Sequence, residues 1–374
     1  MNTQIPRPTP RAEEEIPVGS EHESSADRRA HLPLTHPQLP RWAPALAGVL
    51  AAALAGLLAL TLGWGPIAWL ILAGVLFLVA LPSWSRVVEG GRAAKDRLVT
   101  ALVWSAFAVA VIPLVSLVWE VLSNGLGAID LEFLTYSMRN VVGEGGGIYH
   151  AIIGTLLVTF AAAVISIPVG LMSAIYLVEY GGTSRLARTI TFLVDVMTGI
   201  PSIVAGLFAY ALFVLFFGEG IRFGFGGAVA LSLLMVPIVV RSAEEMLRLV
   251  PHDLREASYA LGVPKWRTIV KVVIPTALGG IVTGVTLAIA RVAGETAPLL
   301  IIAGSTDSLN RSLFDERMMT LPVFIYYSYT QPGVPAEFGQ ERAWGAALVL
   351  IAIVMTLNLV ARAIGRRYAP KTGR

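Results

Sequence analysis

The chain has 374 residues, 55% of them hydrophobic and 14% charged. That leaves too little polar surface for a soluble protein of this length and points to an integral membrane protein. Zero cysteines exclude disulfides and thiolate metal sites. The net charge of +3 resides in short segments between apolar runs, a pattern of membrane orientation that argues against nucleic acid as a partner.

Residues 1–41 carry Pro6, Pro8, Pro10, Pro17, Pro33, Pro37 and Pro40, the run Glu13-Glu14-Glu15, and almost no apolar cluster. Such a segment buries too little surface to offset its ordering entropy, so it reads as a disordered tail. A signal peptide is not expected, because the first apolar run starts only after Arg41. Eight segments then approach the roughly 20 apolar residues needed to cross about 30 Å of hydrocarbon. They are Trp42–Leu62, Pro66–Trp84, Leu98–Leu122, Ile148–Val178, Ile190–Phe217, Gly227–Leu247, Val272–Ala303 and Ala343–Ile364. The first two form a hairpin over residues 42–85 around Gly63-Trp64-Gly65-Pro66, the second short enough to be a span or a re-entrant segment. Residues 92–365 form the main transmembrane domain, with a polar loop at 249–271, and 366–374 form a second tail. The expected class is all-α, a polytopic bundle of about six core spans plus the hairpin.

Lysine and arginine set the orientation. With the amino terminus inside, the inner segments hold about 22 basic residues and the outer loops about 5, with Arg291 left in the membrane. Both termini are therefore expected on the cytoplasmic side, together with the 249–271 loop. Gly143–Gly147, an outer run, lacks the lysine of a phosphate-binding loop. The five histidines form no metal-ligand spacing, and no nucleophile–base arrangement suggests catalysis.

Within Ile190–Phe217, Gly199-Ile200-Pro201-Ser202 predicts a local disturbance. Proline frees a carbonyl that Ser202 or a neighbouring helix can satisfy, so the stretch reads as a path-lining break, a hinge or an ordinary kink. Asp195 reads as an ion-pair partner of Arg188. Further on, Pro251-His252-Asp253 suits the start of a helix, Val250, Leu254, Ala257 and Leu261 can share an apolar face, and Gly262 followed by Pro264 ends it. This short helix is either an amphipathic connector at the lipid interface or a docking element.

In the seventh span, Gly280, Gly284, Ala288, Arg291, Glu295 and Pro298 fall at steps of three or four, one face of a helix if the helix is continuous. The small residues invite close approach by a neighbour. Val282, Val285, Ile289 and Val292 take the opposite side. Intramembrane charges are costly and usually face protein or water. Three readings stay open: a mutually neutralising pair, a solute-binding pair in which Arg291 meets an anion, or a gate. A rise of about 1.5 Å per residue from Pro275 puts Arg291 roughly 24 Å up, towards the outer side.

Glu256-Ala257-Ser258-x3-Gly262-x9-Val272-Val273-Ile274-Pro275 resembles the EAA motif of permease subunits in ATP-binding-cassette importers. Glu256, Ala257, Gly262 and Pro275 match it, and Ser258, Val272 and Ile274 are conservative replacements. The resemblance implies that Glu256, Ala257 and Gly262 couple to a cytoplasmic ATPase. The run Arg291-Val-Ala-Gly-Glu-Thr-Ala-Pro-Leu-Leu300 is similar to a signature of phosphate importer permeases of the PstA type. Gly199–Phe208, and Leu321-Pro322 through Tyr329 to Ala343-Trp344-Gly345, are similar to other parts of that family. The resemblance spans about Arg92 to Ile364; the tail and the hairpin depart from the family's six-span pattern.

What it implies is a type I ABC importer fold and a non-catalytic subunit for ATP-driven uptake of inorganic phosphate across the bacterial cytoplasmic membrane. Arg291, Glu295, Pro201 and Ser202 would lie on the path or gate. The implied partners are a PstC-type permease, two PstB-type ATP-binding subunits, an external PstS-type phosphate-binding protein and membrane lipid. No cofactor would be bound by this chain, with ATP and Mg on the partner ATPase. Alternatives are a permease for another oxyanion or polar solute, or an ion-coupled secondary transporter.

Overall fold

The structure, a computed structural model, describes residues 38–368. The tail expected over 1–41 lies almost wholly outside them, as do residues 369–374 of the second tail. Regular structure among the described residues is helical. Seven helices are long and apolar enough to cross a membrane, or up to eight if one bent pair counts as a single span. The chain divides into two compact units at Leu114/Val115.

The first unit begins with the antiparallel pair α1 (Ala43–Leu62) and α2 (Pro66–Val88). Ala43, Ala47, Ala51, Ala55 and Ala59 recur at every fourth position and are all buried. Side chains this small bring the α2 backbone close enough for Trp69 Nε1 to donate to the Ala52 carbonyl at 2.9 Å. At 23 residues, α2 is about 35 Å long, enough to cross a bilayer. Helix α3 (Gly91–Gly125) follows and packs Ala101 against Ala47 and Leu81. It continues through Pro113, which has no N–H for the Val109 carbonyl, and its end belongs to the second unit.

At the α2–α3 turn, the Glu89 carboxylate accepts from Ser85 Oγ at 2.6 Å, Arg97 Nη2 at 3.1 Å and the Leu39 N–H at 2.7 Å. The bonds from Ser85, Arg97 and Leu39, in that order, lower its pKa from an ordinary 4.5 to about 2.

The second unit is organised around α8 (Gly224–Arg248). On it pack α5 (Tyr149–Ile175), α6 (Arg185–Thr198), α7 (Ser202–Phe217) and α11 (Ile274–Ala293). Before α5 comes a short α4 (Leu131–Thr135), whose N-cap Asp130 accepts from the Phe133 N–H at 2.6 Å. A five-residue π-helical segment, Tyr176–Tyr180, continues α5, and a second, Ile269–Val273, leads into α11. The last helices are α12 (Ala297–Ile302), α13 (Leu321–Thr330) and α14 (Ala336–Tyr368).

Two expected spans are not continuous. Ile190–Phe217 is α6 and α7, bent by 111° at a break between Thr198 and Ser202. Pro201 sits in that break with extended backbone as the N-cap of α7, so it turns a corner instead of leaving a freed carbonyl for Ser202 within one helix. Val272–Ala303 is also divided, because α11 ends at Ala293 and Gly294-Glu295-Thr296 separates it from α12.

Candidate functional site

Leaving α8, the chain passes Leu249-Val250-Pro251 into α9 (His252–Ala260) and then α10 (Lys265–Thr268). Gly262 between them has φ +76°, a left-handed turn that glycine adopts without a Cβ penalty. It lets the Val263 N–H return to the Ser258 carbonyl at 3.2 Å and close the helix end.

Two polar side chains of α9, Arg255 and Ser258, face inward, while His252, Asp253 and Glu256 are exposed. Arg255 is buried and donates through Nε and Nη2 to Glu179 Oε1 at 3.1 and 2.9 Å. Its remaining N–H groups reach the carbonyls of Val250 at 2.6 Å and Leu247 at 2.9 Å. Ser258, also buried, shares a 2.8 Å hydrogen bond with Thr268 of α10. Lys265 donates to the Glu179 carbonyl and lies 4.9 Å from the Tyr180 ring centre.

Outward lie Leu254, Tyr259 and Leu261, the last 84% exposed, together with Glu256, Ala257 and Gly262. The apolar face expected from Val250, Leu254, Ala257 and Leu261 is thus divided. Val250 joins a core with Leu247 and Val273, and the other three face out. Serine at 258, a departure from the motif's alanine, supplies the hydroxyl that Thr268 needs.

The partners Arg255 and Glu179 were missed by sequence reasoning. Glu179 is separated from Arg255 by 76 positions, and only its place at the end of a long apolar run marked it as unusual. Asp195 pairs with Arg241 and not with the expected Arg188. Arg241 also reaches Glu244 at 2.9 Å, and Glu244 holds Arg248 at 2.6 Å, so this charge chain ties α6 to α8.

The second cluster of expected residues lies around the α11–α12 break. Its small-residue stripe does what the spacing predicted. A Cβ on Gly284 would fall 1.6 Å from Ser242 Oγ, and one on Gly280 2.1 Å from Met246 Sδ, so α11 and α8 touch backbone to side chain. The charges do not extend that stripe. The buried face runs Ile281, Gly284, Ala288, Val292, leaving Arg291 exposed in the last turn, where a cation complements the helix dipole. Glu295 lies beyond the helix end and half-buried, and no Arg291–Glu295 ion pair is present. The i,i+4 register fails because the chain leaves the helix at Gly294.

The break brings two motif stretches together. A Cβ on Gly206 of α7 would sit 2.6 Å from Pro298 Cα, so the helix opened by Pro201-Ser202 packs directly on the one opened by Ala297-Pro298. Pro201 itself is exposed and Ser202 half-buried.

Residues 166–374 match the family described as binding-protein-dependent transport system inner membrane component. The chain is 50% identical over 276 residues to phosphate transport system permease protein PstA 1 of Mycobacterium tuberculosis (strain H37Rv), covering 73% of this chain and 88% of that one. The chain belongs to this family of transport permeases. It is also 39% identical over 280 residues to PstA of Yersinia pestis, covering 75% of this chain and 92% of that one. Among solved structures it resembles an inward-facing MetNI methionine ABC transporter with TM-score 0.46 and 23% identity, over 60% of this chain and 94% of that one. The permease family match contains α8 to α12 and so takes in the buried Arg255, the outward face of α9 and the α11–α12 break. Residues 38–114 precede its start.

Proposed function

We propose that this permease is the PstA-type membrane subunit of an ATP-driven phosphate importer. The observation that carries the mechanism is α9, whose Arg255 and Ser258 are locked inward while Leu254, Ala257 and the following Leu261 are left outward beside Glu256 and Gly262. An ATPase seated against Leu254, Ala257 and Leu261 would cover that apolar surface. Two PstB-type subunits supply this contact and hold the ATP and Mg, a PstC-type permease completes the pathway, and a PstS-type protein delivers phosphate from outside.

Coupling follows from the anchors. Arg255 fixes α9 to the end of α5 through Glu179, and Ser258 fixes it to α10 and hence α11 through Thr268. A push on α9 therefore moves both spans as one body, the physical requirement for carrying a local event across the membrane. At the far end of α11, Arg291 offers an anion a guanidinium with no carboxylate partner among the described residues. Glu295 lies within the break, and Pro201-Ser202 opens α7, the helix that packs on α12 through Gly206.

Reconstitution in proteoliposomes with the three partner types tests this reading. Phosphate uptake should require both ATP and the binding protein, and Arg291→Gln should abolish it while assembly is retained. Uptake driven by an ion gradient alone would defeat the proposal, and sulfate transported in place of phosphate would reassign the substrate.

A further inference from the structure

We propose that the turn between α2 and α3 holds a binding site for the headgroup of an anionic phospholipid. A cleft of about 540 Å³ opens there, between the last turns of α2 and the first turns of α3. Arg86, Arg92 and Lys95 line it, with Ser83 as a hydroxyl donor and Pro82 and Leu98 as its apolar wall. All three cations are exposed, and none pairs with a carboxylate among the described residues.

The local carboxylates do not neutralise them. Glu89 is committed to Ser85, Leu39 and Arg97, and Asp96, which lines an adjoining cleft with Arg92 and Arg97, forms an ion pair with none of the three cations. The first turn of α3 contains no acidic residue, so Arg92 lies against the positive end of its own helix dipole. That repulsion is relieved by a bound anion. Guanidinium and ammonium groups converging on one cleft suit a phosphodiester, which accepts several charge-assisted hydrogen bonds.

The surroundings favour a lipid over free phosphate. Leu98 and Leu102, one helical turn apart on α3, are both exposed and continue the apolar wall away from the cleft, a track for acyl chains. Trp42 and Trp84 meet edge to face at 6.4 Å near the same end of the hairpin, and tryptophans mark the headgroup level of a bilayer. The orientation expected from lysine and arginine puts this turn on the cytoplasmic leaflet, where basic pockets between spans recognise anionic headgroups. The site lies in the part of the chain that precedes the family match, and it does not depend on the transported solute.

Native mass spectrometry of the full-length chain in detergent, titrated with phosphatidylglycerol or phosphatidylcholine, tests the site. Phosphatidylglycerol should bind more tightly. Arg92→Gln should weaken it about fivefold, and the combined Arg86→Gln, Arg92→Gln and Lys95→Gln about a hundredfold, with phosphatidylcholine binding unchanged. Inorganic phosphate in large excess should leave the lipid bound. Equal binding of the two lipids, or unchanged phosphatidylglycerol affinity in the single and triple variants, overturns the proposal. Full displacement by inorganic phosphate overturns the lipid assignment in favour of the free anion. If the triple variant does not fold, Arg86→Gln, Arg92→Gln and Lys95→Gln measured singly decide the matter.

Discussion

Two interhelical turns in this molecule are built on the same principle and present opposite surfaces. At the α2–α3 turn Glu89 grips Arg97, Ser85 and the Leu39 N–H, and three further cations are left facing out. At the α8–α11 connection Glu179 grips Arg255, whose other N–H groups are absorbed by the Leu247 and Val250 carbonyls, and apolar side chains are left facing out. In each, one carboxylate and one arginine order a turn that hydrophobic burial alone would not define. The residues excluded from that grip then determine what can dock. Cations suit a phosphate headgroup, and Leu254, Tyr259 and Leu261 suit a protein.

The largest test of this contrast is at Arg255. Removing one partner of a buried ion pair strands the other, at a cost of about 3–5 kcal/mol. Arg255→Met should therefore unlock α9, with loss of uptake and faster hydrogen exchange across 247–262. Glu179→Gln should do much the same, and a double variant with Arg255→Met and Glu179→Leu should recover part of the loss in order. Wild-type exchange and uptake in Arg255→Met would mean that the grip orders nothing.

Next comes the outward face. Leu261 is 84% exposed, so an ATPase that covers it gains about 1.5–3 kcal/mol from the burial. Leu261→Asp should weaken co-purification of the ATPase about tenfold or more without changing the melting temperature of the isolated chain. A matched loss at both readouts would show that the residue serves the fold and not the partner. A smaller effect is expected at Gly262. Its φ of +76° with open space around the missing Cβ makes alanine there a purely conformational cost of about 1–2 kcal/mol, and Gly262→Asn should be milder than Gly262→Ala in ATPase-coupled uptake.

The turns also show what the sequence could disclose. The limits of α9 and the glycine that closes it were legible, because capping and turn chemistry act within a few residues. A close helix contact along α11 was legible as well, since Gly280, Gly284 and Ala288 state their spacing openly, but not that α8 would be the neighbour. Periodicity failed where it was extrapolated through Gly294: Arg291 and Glu295 belong to one face only if the helix continues, and it stops at Ala293. The 111° corner before Ser202 was hidden for a similar reason. Apolar composition continues across it, and only Gly199 and Pro201 mark the change of direction. Arg255–Glu179 and Asp195–Arg241 were invisible because no local rule links residues so far apart in the chain.

Glu89 gives the smallest effect and the one that isolates the grip from everything docked on it. Its pKa is lowered to about 2 from 4.5 by the Ser85, Arg97 and Leu39 hydrogen bonds. A carboxyl depressed in the folded state adds stability that is fully present above about pH 4.5, declines as pH falls towards 2, and is absent below that. Wild type should therefore melt above Glu89→Gln at pH 7, and the difference should shrink steadily between pH 4.5 and the lowest pH the detergent-solubilised chain tolerates. Arg97→Gln removes only one of the three donors, so its difference from wild type should be smaller and should fade over the same range. A gap between wild type and Glu89→Gln that stays constant with pH would mean that the carboxylate charge contributes nothing to the turn. The ordering of the α2–α3 corner would then rest on the Leu39 and Ser85 contacts as neutral hydrogen bonds, and its likeness to the Arg255–Glu179 grip would end there.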